Sequence, residues 1–395
     1  MKLNRIQDKF MLIGALGACA ALPVAACTSW MIHPSCSATG RMIVHKCRDN
    51  RVSPLDADIQ YTRHGVKWMR LGANNEPLFA VSERGIATVM NDGDPMTLVH
   101  PSTDKEFKHL RMWTSCGSLA RNVMDECTTA EEAVKLALHY SRNRIKSAHG
   151  NSIFVADAKR AFMLDVGPGY AEVKELTGGI CIITNCMHFP GIETYSNRTV
   201  GALRSDRARE ANVRASLRKH QVGGKYTVKG VIATSRMRCQ GKYAQKFPCR
   251  KNSISAVCFE IDPEFPKYLT TAYVALGPQQ HTVYLPTPMA LTQFPDFIRN
   301  GGWSDMAYEL RKREGYDHRY LRRFVALEDR LFAEYDRVRE EARALLRAGK
   351  TAEAEKLLND CYLRQYEEAL KLLKEVDADS LAHPLDPKKR LDATF

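Results

Sequence analysis

The chain has 395 residues, 44% of them apolar and 26% charged, enough to bury a sizeable core and ordinary for a globular protein. After the first thirty residues no stretch is apolar for long enough to cross a bilayer. The formal net charge is +13, and because the part from Trp303 onward is nearly balanced, the excess lies in residues 27–302. A basic region suits carboxylate-bearing ligands, whereas the interleaved aromatic–basic pattern of a nucleic-acid binder is missing, so no nucleic acid is expected as a partner.

At the start, Lys2, Arg5 and Lys9 precede an apolar run from Phe10 to Leu22, and small residues follow at Val24-Ala25-Ala26. Residues 1–26 therefore read as an export signal whose removal leaves Cys27 first, in a periplasmic or secreted protein. The segment Val24-Ala25-Ala26-Cys27 also reads as a bacterial lipobox, in which Cys27 would carry lipid and attach the chain to a membrane. Of 12 cysteines only Cys19 leaves with the signal, so an odd number remains and at least one thiol is unpaired within a monomer. Cys239 and Cys249 flank a basic loop and are candidates for a disulfide in an oxidising compartment. No CxxC pair or Cys/His cluster has zinc-ligand spacing, and neither a metal nor a cofactor is expected.

Residues 27–100 read as short strands. Thr28–Ile32 and Arg41–His45 form a hairpin across Ala38-Thr39-Gly40, and further strands fall at Ile59–Thr62 and Gly85–Met90. Residues 117–144 take helical period, with Thr128 or Thr129 capping a second helix. Strands return at Ser152–Ala156, Ala161–Val166 and Gly179–Thr184. Helical composition occupies 199–219, and strands follow at Ser253–Glu260 and Tyr268–Leu276. From Ser304 to Val376 apolar residues recur at three- and four-residue spacing, broken at Gly349. Such helices pack against the body or against a second copy of the chain. The division expected is a signal at 1–26, a catalytic domain at 27–302, a helical extension at 303–376 and a loose tail at 377–395. Strand-rich blocks with helices between and after them give an α+β layered fold.

An exposed N-terminal cysteine carries its own base. The α-amino group has a reference pKa of about 7.7–8, so part of it is neutral near pH 7 and can take the thiol proton. The thiolate then attacks a carbonyl carbon, and neutral donors must meet the oxyanion.

Cys27-Thr28-Ser29, a glycine turn at Gly40, the strand Met42–His45 and then Lys46-Cys47-Arg48-Asp49 resemble the opening of the N-terminal-nucleophile hydrolases. The resemblance is to the penicillin acyltransferase and linear-amide hydrolase group, whose relatives include bile salt hydrolases and dipeptidases. Gly85-Ile86-Ala87 leading to Asn91 resembles the strand that supplies an oxyanion donor. Thr184-Asn185 resembles the asparagine that orients nucleophile and substrate. His149-Gly150-Asn151-Ser152 resembles the group's central strand pair, and Val274–Pro278 a closing strand.

The resemblance implies a four-layer αββα sandwich with a C-terminal helical extension, and cleavage of a linear amide through an acyl-enzyme on Cys27, with acyl transfer as a variant. It makes Asp49 the partner of the α-ammonium, with Lys46 or Arg48 as the basic residue beside it. Arg198 stands for a late arginine, a place that Arg204 or Arg207 could also fill. Read without the resemblance, Asn91 before Asp92-Gly93 is equally a turn residue, Asp49 a member of an ion-pair cluster, and His45 and His188 structural or pocket-lining.

Overall fold

The structure is a computed structural model that describes residues 27–49, 56–72, 79–95, 116–143, 149–167, 170–189, 200–239, 241–315 and 319–385. The expected signal segment, Arg198 and the last ten residues lie outside these.

Two antiparallel sheets form the centre. The first runs β10 (Ile180–Ile183), β1 (Thr28–Ile32), β2 (Met42–Asp49), β11 (Ser253–Ile261), β12 (Thr271–Leu276) and β13 (Leu285–Pro288). The second follows chain order from β3 (Asp56–Tyr61) and β4 (Lys67–Gly72) through β5 (Phe79–Ser82), β6 (Ala87–Pro95), β7 (His149–Ala156) and β8 (Ala161–Gly167) to β9 (Tyr170–Glu175). The β1–β2 turn is made at Gly40, whose φ of 66° favours a residue without Cβ.

The period of two assigns each face. In the second sheet Val89, Phe154 and Met163 point inward and join Met31, Val44 and Val257 of the first sheet in one core. Their neighbours Met90, Ile153, Val155 and Leu164 point outward, against Leu119 and Val123 of α1 (Cys116–Glu126) and Ala133 and Ala137 of α2 (Ala130–Asn143). The start of α2 is a capping box: Thr129 Oγ1 accepts from Glu132 N at 3.2 Å, and Glu132 Oε2 accepts from Thr129 N at 3.3 Å.

The outer face of the first sheet is covered by α3 (Val200–Lys219), α4 (Val228–Ser235) and α6 (Leu321–Arg347). The order helices–sheet–sheet–helices is the four-layer sandwich that the sequence resemblance implied. Near α6, α5 (Gly302–Glu314) and α7 (Thr351–Ala382) close the β12–β13 edge.

The C-terminal helices share the main core, since Trp303, Phe324, Leu331 and Tyr362 belong to the same cluster as the strand residues. Two ion pairs fix α6 to the body. Arg236 meets Glu328 through two bonds of 2.6 and 2.7 Å, and Arg339 donates to Glu260 on β11; all four residues are buried. The last helix continues through Ala382, past Asp377, where the sequence suggested that a loose tail begins. No disulfide joins Cys239 and Cys249, and burial pushes the Cys249 thiol up to about 11. Among the described residues no helix is long and apolar enough to cross a membrane.

Candidate active site

β1 lies between β10 and β2, with Ser29 opposite Ile183 on one side and Lys46 on the other. Opposed residues of antiparallel strands share a face. This row faces the second sheet, because Ser29 Oγ and Lys46 Nζ both donate to Asn91 Oδ1 on β6, each at 2.8 Å. Lys46 Nζ donates to the Met90 carbonyl as well. Cys27 immediately precedes the first residue of β1. On the β2 side Arg48 follows Cys47, the partner of Thr28, and on the β10 side Asn185 lies two residues beyond the end of the strand. Cys27, Asn185 and Arg48 are all buried.

The opposite face of the strand holds Thr28, Cys47 and Asp49, and here α3 takes over. Arg209 Nη1 donates to the Cys27 carbonyl at 3.0 Å and to Thr28 Oγ1 at 3.2 Å, while its Nη2 donates to Asp206 one turn earlier. Asp49 accepts from Ser253 Oγ and lies 3.5 Å from Arg250 Nη1. Arg311 of α5 donates to the carbonyls of Arg250 and Ser253 at 3.1 and 3.4 Å, which holds that loop in place. Burial raises the Asp49 carboxyl above its ordinary range, and Arg250, the Ser253 hydroxyl, Arg209 and Arg311 pull it back only in part. Burial and the neighbouring Arg209 bring the Arg250 guanidinium down to about 10, against the pull of Asp49, Asp206 and Cys27. The start of β1 thus sits in a buried network of arginines and aspartates.

The residues singled out from sequence separate into groups. Arg48 and Lys46 lie on one face of β2 and Asp49 on the other. Lys46 and Asn91 are close to each other but committed elsewhere. Asn91 Nδ2 donates to the carbonyls of Ile183 and Thr184 at 3.1 and 3.2 Å, and its Oδ1 takes Ser29 and Lys46. These bonds tie β6 to the segment that carries Asn185. Arg204 and Arg207 are exposed on α3, and the latter pairs with Glu210 at 3.0 Å, so neither fills the late-arginine place.

Arg209, Arg250, Asp206 and Ser253 were missed from sequence. The Asp206/Arg209 spacing of one helical turn within 199–219 was the available signal. His45 stacks on Trp30 at 3.9 Å, and burial followed by Lys46 holds its imidazole well below its ordinary pKa, consistent with a structural role.

Next to Asn185 lies a second polar cluster. Cys186 Sγ is 3.9 Å from His188 Nε2 and 3.7 Å from Glu210 Oε1, and His188 Nε2 is 2.8 Å from Glu210 Oε1. Behind the ring, Asp165 Oδ1 stands 3.7 Å from His188 Nδ1 and accepts from Ser152 Oγ at 2.6 Å. Burial works against a charged ring, but bonds to Asp165, Cys186 and Glu210 outweigh it and hold His188 well above its ordinary pKa. Cys186, His188 and Glu210 are the one set of three metal-ligating side chains that converge among the described residues.

No family model and no curated protein matches this sequence. Among solved structures, the chain is similar to a Caenorhabditis elegans ortholog of N-acylethanolamine-hydrolyzing acid amidase, at 12% identity and a TM-score of 0.39, covering 60% of this chain and 94% of that one. It is also similar to a variant of conjugated bile acid hydrolase from Clostridium perfringens, at 10% identity and a TM-score of 0.40, covering 63% and 89%. Both belong to the amide-hydrolase group that the sequence resembles. Likeness at this level transfers no substrate, and the chemistry is read from the site itself.

Proposed function

We propose that this protein is a cysteine hydrolase of linear amide C–N bonds, exported and trimmed so that Cys27 is its first residue. The observation that carries the reading is the position of Cys27. It immediately precedes β1, the strand between β10 and β2, it is buried, and its carbonyl is held by Arg209.

Each part has a chemical role. The α-amine of Cys27 takes the thiol proton, and the thiolate attacks the amide carbon to give a tetrahedral oxyanion. Asn185 offers a neutral donor to that oxygen. Expulsion of the amine, which receives the proton, leaves an acyl group on Sγ, and water or a second amine removes it. Asp49, two residues beyond the Cys47 that pairs with Thr28, is the candidate carboxylate to orient the new ammonium. Arg209 fixes the carbonyl of the same residue, so nitrogen and sulfur are held from both ends. Burial of Cys27 supports this reading over a lipid anchor, because an acylglycerol on Sγ has to reach a membrane.

The test is a panel of N-acyl amino acids, penicillins, conjugated bile acids and dipeptides, run on protein beginning at Cys27 and on Cys27→Ala. Hydrolysis by the first and none by the second is expected. Equal turnover by both would overturn the assignment.

A further inference from the structure

We infer that Cys186, His188 and Glu210 form a binding site for a zinc-class divalent cation, separate from the catalytic cysteine. The three ligand types are those that zinc prefers. In a tetrahedral site the bonds are about 2.0–2.3 Å, which spaces ligand atoms about 3.3–3.7 Å apart. The sulfur already lies 3.9 and 3.7 Å from the other two atoms. The 2.8 Å between His188 Nε2 and Glu210 Oε1 is a hydrogen bond, and it has only to open by about half an ångström when a metal takes the proton's place.

The surroundings support the same assignment. Metal-bound imidazoles usually present their second nitrogen to a carboxylate. Asp165 Oδ1 stands 3.7 Å from His188 Nδ1, and Asp165 is fully buried and oriented by Ser152. Glu210 Oε1 is further positioned by Thr184 Oγ1 at 2.8 Å. Glu210 is partly exposed, which leaves an approach for the ion and room for a water as fourth ligand.

The site has a mechanical consequence. Cys186 follows Asn185, and Glu210 follows Arg209. A bound ion would clamp the segment that carries Asn185 to the helix that carries Arg209, the two elements flanking the start of β1.

The experiment uses the full chain carrying Cys27→Ala, so that the nucleophile cannot supply a thiolate. Metal-free protein is titrated with Zn²⁺ against a chromophoric chelator, and separately with Co²⁺ while absorbance is recorded. About one ion per chain is expected, with a thiolate-to-cobalt charge-transfer band, intense tetrahedral d–d bands and a raised melting temperature. Adding Cys186→Ser should abolish the charge-transfer band, and Asp165→Asn should weaken zinc binding about 10–100-fold. Absence of that band in the Cys27→Ala chain would overturn the proposal, whether or not the further variants fold. So would a band that survives Cys186→Ser, since the sulfur would then come from elsewhere.

Discussion

Arg209 Nη1 donates to the carbonyl oxygen of Cys27 at 3.0 Å, joining residues 182 positions apart and fixing the start of β1 to α3. Arg209 and Asp206 are both almost fully buried and pair directly with each other. Replacing Arg209 by Met should cost about 3–5 kcal/mol, because the direct ion pair with buried Asp206 is broken from one side. Arg209→Met combined with Asp206→Leu should recover much of that stability without recovering activity. Denaturant midpoints for the two variants check the first expectation, and turnover checks the second.

Asn91 and Asn185 should separate in function. Asn91 joins both sheets through four hydrogen bonds, so Asn91→Ala should lower stability by about 1–3 kcal/mol through the partners it strands. Asn185→Ala removes the proposed oxyanion donor and should lower kcat by about 10²–10³-fold. Thermal melts and steady-state kinetics on the pair distinguish the roles; equal kinetic losses would return Asn91 to the oxyanion site.

Asp49 should give the proposed reaction an acid limb. Its carboxyl is already raised by burial, with Arg250 foremost among the groups pulling it back. Removing that cation in Arg250→Gln should raise the carboxyl further, so the acid limb of kcat/KM moves to higher pH. A pH–rate profile of the variant reads this directly, and an unmoved limb would show that Asp49 does not control the step.

The outer helix α6 should confer acid lability. Burial alone would raise Glu260, but Arg339, Arg41 and the Thr39 hydroxyl hold it below 4.5. Burial would likewise raise Asp262, and the bond from Arg343, the Phe265 amide and Arg41 hold it below 3.8. A carboxyl depressed in the folded state contributes stability above its unfolded pKa and loses it as pH falls through the folded one. Stability should therefore begin to fall below about pH 4.5 and continue falling below 3.8. Arg339→Met should cost about 3–5 kcal/mol at neutral pH and flatten the Glu260 part of this dependence, measured by urea unfolding across pH.

Much of the layering was legible because strands such as Ser152–Ala156 and Ala161–Val166 are apolar on both faces, as expected for sheets covered on each side. β13 was missed since Leu285-Pro286-Thr287-Pro288 looks like a loop; two prolines are tolerated there because it is the edge strand. Tyr268–Leu276 read as one strand, yet a helical turn at Pro266–Leu269 precedes β12.

At the site, the order of motifs pointed to Cys27, but the pairing of Lys46 with Asp49 ignored the strand period. Residues three apart on β2 face opposite ways, so Lys46 and Arg48 share one face of the strand and Asp49 lies on the other. Arg209 and Asp206 were hidden because the buried side of α3 is largely polar, leaving no apolar stripe to orient the helix. The Cys186-x-His188 pair matched no ligand spacing, and its third member comes from a different element.

The most direct measurement of the central claim is the intact mass, with N-terminal sequence, of the protein recovered from a host that exports it. The result expected is a chain whose first residue is Cys27 with an unmodified amine. A chain beginning elsewhere, or a Cys27 nitrogen carrying an acyl or lipid group, would remove the base and contradict the mechanism.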